Sequence, residues 1–554
     1  MSTRAFRTGV VLLAMLLTGY SRGGAQELGN ITFPTSGAAG AQAAFLEGVK
    51  ALHSFQFDEA GEAFRKAEAA DPGFAMAYWG EAMSFNHPLW AQQDLDAAKA
   101  ALAKLGPTHE ARVAKAKLPK EKAFLDAQQQ LFFAPGDKLA RDKAYADAMA
   151  RMYAQYPEDH EVDILYALSL LGTVRPGDPG YRRQALAASI AFKVFGENAK
   201  HPGAAHFIIH SFDDPEHAIL ALPAANAYAK IAPSAAHALH MPSHIYVQLG
   251  MWQQVAASNV DAYKAAMDVN ARLKLAEGRE DFHTLSWLAY ANLMLGKFDD
   301  AKQNVALAKQ AVDRNPGNRG ILSGYQGMRA RYILETAQWE KLALEPAAPA
   351  AADAHAGMPG MASMPGMAQY DGNSTWVFIV GLSASKMGDS ATATAAEARL
   401  RAMREKAEAG PNAYAAKPVI ILHKELSAVL NAAGGKTDEA LRLAKEASDL
   451  ELTMSAPSGP VDPIKPAVEL YGELLLDASK AGEAASAFEA SLLRTPKRTP
   501  SLLGAARAYQ RAGNAAAARQ RYTELAGMPG AAPNSPAMQE AQKYLKTPST
   551  DLAR

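Results

Sequence analysis

Equivalent residues return every thirty-four positions along this chain. Close to the C-terminus, Ala484 and Phe488 recur as Ala518 and Tyr522. Each unit contains two stretches with apolar residues at helical spacing, whereas the alternating pattern of a β-strand barely occurs. Clear units start near 41, 75, 282, 465 and 499, and divergent units start near 202 and 236. Because one helix pair cannot bury its apolar face alone, the sequence predicts an all-α superhelix of stacked pairs with a concave side.

A thirty-four-residue period with small residues at fixed places and a closing proline resembles the tetratricopeptide repeat. The segments AMAYWGEAMSFNHPLW, HPGAAHFIIH and HALHMPSHI together look like a family of exported bacterial proteins of this repeat class. The resemblance covers most of the mature chain. It implies an α-solenoid of antiparallel helix pairs, in which positions 2, 5, 9, 12 and 13 of each unit line the concave groove. It implies no particular activity.

Composition excludes several classes of function. The 554 residues exceed what one compact core carries. Lys+Arg and Asp+Glu balance at 57 each, so the positive surface of a nucleic-acid-binding protein is not expected. The chain has no cysteine, which excludes disulfides, thiolate metal sites and cysteine nucleophiles. No Walker sequence, dinucleotide fingerprint or serine nucleophile elbow occurs, and we expect neither a nucleotide nor an organic cofactor.

The N-terminal residues MSTRAFRTGVVLLAMLLTGYSRGGAQ have the pattern of a secretory signal that is cleaved near Ala25. The apolar run is too short for a membrane span, and no later stretch is long enough, so we expect an exported, periplasmic or secreted protein. The predicted divisions are a signal peptide (1–25), an N-terminal extension (26–40), a first helical repeat array (41–344), an Ala/Pro/Met-rich flexible loop (345–372), a second array (373–540) and a tail (541–554).

Histidine is concentrated at the groove positions that the resemblance implies. If Trp252 opens a second helix, its unit starts at Ala236. The groove residues are then His237, His240 and His244 at positions 2, 5 and 9, His206 and His210 at 5 and 9 of the preceding unit, Asp213 at 12, His53 and His87 at 13, His283 at 2 and Trp79 at 5. Tyr290 is a further expected groove residue.

Two of these pairs, His206/His210 and His240/His244, share the spacing i, i+4, which places β-carbons about 5–6 Å apart on one helix face. First helices of stacked units pack about 8–10 Å apart. Four imidazoles facing each other across that gap can bind one ion or two neighbouring ions, and neutral imidazole suits copper and zinc. Asp213 could be a ligand or could orient an imidazole.

Other interpretations of the same residues stay open. Asp214 is a good cap for the helix that Pro215 begins, and His201 and His217 suit solvent or capping positions. Pro242 would either kink a helix through the second pair or start a new one. The histidines could also form a polar groove for a partner protein or peptide without a metal.

A second feature is the segment HAGMPGMASMPGM, which contains His355 and spaces Met358, Met361, Met364 and Met367 at three-residue intervals. Glycine and proline between them are incompatible with a helix. Thioethers select Cu(I), and the segment resembles the Met-rich loops of exported copper-handling proteins. The alternative is a low-complexity linker.

Three functions follow. The first is an exported binding protein whose groove holds copper or zinc on His206, His210, His237, His240 and His244, with Asp213 as a further candidate. The second is a metal-free protein–protein scaffold that uses Trp79, His87, His283 and Tyr290. The third is a metalloenzyme, for which the sequence identifies no catalytic residue beyond the acid–base candidates Asp213 and Glu216.

Overall fold

The computed structural model describes residues 26–274, 281–344 and 374–547. Within these ranges the chain is almost entirely helical, and the β-structure consists of one antiparallel pair, β1 (Asn86–His87) and β2 (Gln92–Gln93), joined by a 3-10 turn at Pro88–Trp90. The predicted signal peptide and the predicted copper loop, with His355, Met358, Met361, Met364 and Met367, lie outside the described residues.

The helices form consecutive, antiparallel neighbours along the chain. Those of the N-terminal part are α1 (Ala39–His53), α2 (Phe57–Ala70), α3 (Ala75–Met83), α4 (Leu95–Leu105), α5 (His109–Val113), α6 (Pro119–Phe133), α7 (Lys138–Gln155), α8 (His160–Leu171), α9 (Arg182–Glu197), α10 (Pro202–Ser211), α11 (Ala218–Ile231), α12 (Ala236–His240), α13 (Pro242–Gln248) and α14 (Trp252–Leu273). Those that follow are α15 (Phe282–Met294), α16 (Phe298–Arg314), α17 (Arg319–Thr336), α18 (Ser374–Lys386), α19 (Ser390–Glu408), α20 (Ala413–Ala433), α21 (Thr437–Leu452), α22 (Ala467–Asp477), α23 (Ala481–Arg494), α24 (Thr499–Arg511), α25 (Ala515–Ala526) and α26 (Pro536–Lys546). The predicted fold class, an all-α superhelix of helix pairs, is confirmed.

The same packing device recurs at both ends of the array. A β-carbon on Gly48 or Gly80 would lie within 2.8 Å of the Phe64 ring, so both glycines let their helices close on this phenylalanine. Phe488 lies in the same way between Gly472 and Gly504. A bulky ring enclosed by two glycines explains why small residues stand at fixed places in the repeat.

Pro242 separates two short helices and thereby arranges the histidines. Helix α12 ends at His240, and α13 begins at Pro242, which occupies the first turn where its missing N–H costs nothing. The sequence left two alternatives for Pro242, a kink within one helix or the start of a new helix, and the second is observed. The backbone nevertheless stays helical through Met241, so His240 and His244 still lie on one side.

Across the residues that the structure describes, every helix is too short or too polar to span a lipid bilayer.

Candidate metal centre

Helices α10 and α12 bring together a first group of three histidines, called triad A: His206, His210 and His237. The Nε2 atom of His206 lies 3.0 Å from Nε2 of His210 and 3.1 Å from Nε2 of His237. His206 and His210 stand one turn apart on α10, and His237 comes from the start of α12. Three nitrogen atoms therefore converge on one point.

A second group, called triad B, consists of His240, His244 and His283. The Nε2 atom of His240 lies 3.1 Å from Nε2 of His244 and 2.9 Å from Nε2 of His283. The three residues come from α12, α13 and α15, so helices of two successive units are needed to assemble triad B. In both triads the converging atom is Nε2.

Fixed neighbours hold the opposite nitrogen, Nδ1, of three of these rings. Nδ1 of His206 lies 2.6 Å from the backbone carbonyl of His53, and Nδ1 of His244 lies 2.6 Å from Oδ2 of Asp213. Nδ1 of His240 lies 2.7 Å from Oδ1 of Asn259. Carbonyl, carboxylate and amide oxygens only accept hydrogen bonds, so each Nδ1 must carry the proton and donate it.

The amide orientation of Asn259 is fixed independently, because its Nδ2 donates to the carbonyl of Val255 at 2.8 Å. Its oxygen must therefore face His240. In neutral His240 and His244 the single ring proton is used at Nδ1, and each Nε2 presents a lone pair. Two lone pairs 3.1 Å apart repel each other unless a proton or another cation lies between them.

Burial disfavours a proton between these Nε2 atoms. Removal from water lowers the pKa of His206 and of His283 to about 3. It also lowers the pKa of His210, His237 and His240 well below the ordinary value, and the neighbouring imidazoles add to the effect. Neutral imidazoles with converging Nε2 atoms and Nδ1 bound to oxygen are the arrangement that transition-metal ions require.

Aromatic side chains close the two triads from opposite sides. The Phe55 ring centroid lies 4.4 Å from that of His206 and 5.5 Å from that of His237. The Trp287 ring lies 4.5 Å from His244 and 4.9 Å from His240. These rings shield part of each triad from water, which strengthens electrostatic interactions there.

Phe55 adopts a backbone conformation that normally belongs to glycine. Its φ is +54°, and the corresponding turns, which join the two helices of a pair, contain Gly250 at +64° and Gly296 at +69°. A bulky residue in the left-handed region costs about 1–3 kcal/mol. The left-handed turn places the Phe55 ring against triad A.

A third group, the buried trio His53, Glu161 and His201, is adjacent to triad A but differs from it. Nδ1 of His201 accepts from the backbone N–H of Ala204, so its Nε2 carries the proton and donates to Oε1 of Glu161 at 3.2 Å. Nε2 of His53 lies 2.7 Å from the other carboxylate oxygen. The hydrogen bonds of this trio are satisfied internally, and its carboxylate anchors His53, whose carbonyl binds His206.

Most predicted ligands meet at the centre, with changed roles for two of them. His206, His210, His237, His240 and His244 supply converging nitrogen atoms, divided between two triads. His283, expected only as a groove residue, completes triad B. Both oxygens of Asp213 accept hydrogen bonds, one from His244 and one from Gln248 at 3.1 Å, so Asp213 orients a ligand. Asp214 accepts from the backbone N–H groups of Glu216 and His217 and so closes a turn, whereas the helix begins only at Ala218, with His217 and not Asp214 at its N-cap.

Two expected groove residues are buried instead. Trp79 is inaccessible and packs against Phe33 and Phe124. Tyr290 is also buried, and its hydroxyl accepts from Arg498 at 3.2 Å. The prediction that these two side chains face the groove was wrong, because other parts of the chain cover them: Phe33 of the N-terminal segment packs on Trp79, and Arg498 lies against Tyr290. His87 stacks on Phe57 at 4.0 Å and belongs to neither triad.

Sequence reasoning missed Glu161 and Asn259 entirely and gave His201 only a solvent or capping role. His201 is indeed the N-cap of α10, but it is fully buried. Glu161 is separated from His53 by more than a hundred residues, and no local pattern connects them. The available signal was the pair of acidic residues, Glu161 and Asp163, in the mainly apolar helix HEVDILYALSLL.

Comparison with known proteins gives fold-level likeness only. No protein-family model and no curated protein matches this chain. Among solved structures it is similar to the human IFIT1 dimer with m7Gppp-AAAA, at 12% identity over 90% of this chain and 91% of that chain, with a TM-score of 0.34. It is also similar to yeast Tom70, at 10% identity over 91% and 95%, with a TM-score of 0.27. The P58(IPK) TPR domain follows at 13% identity over 92% and 99%, with a TM-score of 0.21.

Proposed function

We propose that this chain is an exported tetratricopeptide-repeat protein that binds two transition-metal ions, copper or zinc, one in each histidine triad. The observation that carries the proposal is the approach of Nε2 of His240 and His244 to 3.1 Å while Asn259 and Asp213 hold both Nδ1 protons. A metal ion removes the lone-pair repulsion and binds both atoms. In triad A, His206 presents its Nε2 lone pair in the same way, because its Nδ1 donates to the carbonyl of His53, and Nε2 of His210 and of His237 lie beside it.

The ligand set favours some metals over others. Three neutral imidazoles without a thiolate or carboxylate suit copper and zinc, and they leave the fourth coordination position of a tetrahedral ion open. The Met ladder of 358–367 would deliver Cu(I) to the triads, since thioethers bind the reduced ion.

The two other functions have less support. A metal-free scaffold would use accessible groove residues, but Trp79 and Tyr290 are buried. A hydrolytic metalloenzyme needs a free acid–base residue beside the open position. Asp213 is engaged by His244 and Gln248, and Glu216 is exposed and only flanks the capped turn at Asp214.

The test is metal content by mass spectrometry on protein purified without a histidine tag and reconstituted with copper or zinc. We expect two equivalents in the native chain and a loss of bound metal from both triads in the variant His206→Ala/His240→Ala. Circular dichroism checks that the helices remain in this variant, because both histidines are buried between helices.

The matched control is His109→Ala/His160→Ala, which also removes two histidines. These pair at the surface with Asp126 and Glu197 and contact neither triad. We expect the control to retain both equivalents. Absence of metal from the reconstituted native chain, or equal loss from both double variants, would contradict the proposal.

A further inference from the structure

The two triads lie against each other. The ring centroids of His210 and His244 are 6.1 Å apart, and those of His237 and His240 are 6.3 Å apart. These contacts join one triad to the other, and they are similar to the 6.4 Å between His210 and His237 within triad A. Since His237 and His240 are adjacent on the face of one short helix, α12 fixes the spacing of the two nitrogen clusters. Ions in the two triads would be near enough to share one small ligand.

The charge of the surroundings restricts the ions that can occupy both places. The six ligands are imidazoles, which add no negative charge, and Asp213 is a carboxylate that contacts a ligand ring. Two divalent ions would bring four positive charges into a largely buried site, and such charges are costly unless they are paired. Two Cu(I) ions bring only two, and Cu(I) accepts low coordination numbers. The neutral ligand set therefore favours the reduced copper pair.

Access to the centre suits a small apolar molecule. His210, His237 and His283 are half-buried, while His206, His240 and His244 are buried. A small, mainly apolar cavity lies beside Phe55, which packs on triad A, and its lining includes Leu52, Met83 and Leu165 together with the polar residues Asn86, Asp142 and Ser169. A diatomic gas fits these surroundings better than a charged substrate.

We propose that the two triads form one dinuclear copper centre whose ligand is dioxygen. The inference rests on the proposed metal binding. Each Cu(I) gives one electron, so that the two ions become Cu(II) and O₂ becomes peroxide bound between them. No proton is consumed and no further reductant is required. Release of O₂ returns both electrons to the copper ions and reverses the step.

The test uses the full chain, loaded under anaerobic conditions with zero to two equivalents of Cu(I) and then exposed to a known amount of O₂. An oxygen electrode measures uptake, and electron paramagnetic resonance detects isolated Cu(II). We expect one O₂ per two bound copper ions and no paramagnetic signal, because two bridged Cu(II) ions couple their spins. The uptake of O₂ should be proportional to the fraction of protein that holds two copper ions, and not to the total copper.

Two matched variants distinguish a ligand of triad B from a nearby histidine that belongs to neither triad. His283→Ala removes one ligand of triad B and should abolish uptake, while the copper in triad A remains. His87→Ala removes a nearby histidine of neither triad and should retain full uptake. Because the copper titration needs no variant, poor folding of His283→Ala would leave the main measurement intact.

The outcomes distinguish the two proposals. Two tightly bound copper ions without uptake of O₂, or with a full signal from isolated Cu(II), would overturn the dinuclear centre and leave metal binding in place. Selective retention of two zinc ions in the presence of Cu(I) would have the same effect. Failure to bind any metal would overturn both.

Discussion

The trio His53–Glu161–His201 and triad A are built from the same residue type and touch through the carbonyl of His53, yet they differ chemically. In the trio, a carboxylate lies between two imidazoles and accepts from both. In triad A there is a third imidazole in place of a carboxylate, and Nε2 of His206 lies 3.0–3.1 Å from Nε2 of the other two rings. A buried histidine cluster is thus structural when a carboxylate closes it, and a candidate ligand set when imidazole nitrogen atoms converge without one.

The largest effect is expected from the closed trio. Replacing Glu161 by Gln removes the charge that two buried histidines share, and breaking one partner of a buried charged network costs about 3–5 kcal/mol. Chemical denaturation near pH 7 should show this loss in the free energy of unfolding. The exposed Glu158→Gln is the control and should leave that free energy nearly unchanged. Equal stability of the two variants would mean that the trio contributes no more than surface residues do.

The pH dependence of this loss gives a second test. Burial alone would raise the pKa of Glu161, but the charges and hydrogen bonds of His53 and His201 lower it below the ordinary 4.5. A carboxylate of this kind stabilises the fold above its unfolded pKa, and the contribution disappears as the pH falls. The difference in unfolding free energy between native chain and Glu161→Gln should therefore be largest near neutrality and shrink below pH 4.5. A difference that grows on acidification would contradict the assignment.

A smaller effect is expected at triad B, where the carboxylate of Asp213 orients one ligand. Asp213 accepts from Nδ1 of His244, and loss of such a partner typically weakens metal binding about ten- to a hundredfold. Asp213→Asn should show this weakening in competition with a chelator, with little change in stability. The adjacent Asp214→Asn removes the same charge from a residue that caps a turn and should bind metal as the native chain does. Equal weakening in both would assign the effect to overall charge.

Sequence reasoning recovered the open site better than the closed one, for a physical reason. The repeat period relates His206/His210 to His240/His244, so equivalent positions on stacked units had to come close. The third member of each triad was harder to place. His237 is close in the chain to His240 of triad B, yet it joins His206 and His210 in triad A, and His283 joins triad B because α15 packs beside α14.

The trio had no comparable signal. His53, Glu161 and His201 lie in three different helix pairs, and the period does not relate them. Trp79 shows the opposite error, since its repeat position indicated the groove while the N-terminal segment around Phe33 covers it.

By itself the sequence determined the helical character, the stacking of pairs and the proximity of the two histidine pairs, because all three follow from periodicity along a rigid helix. Only the tertiary structure decided which nitrogen of each ring points inward and which cluster has an acceptor of its own. Those choices depend on single oxygens, such as the carbonyl of His53 and the amide of Asn259. Packing between distant parts of the chain positions these atoms, and no spacing in the sequence encodes them.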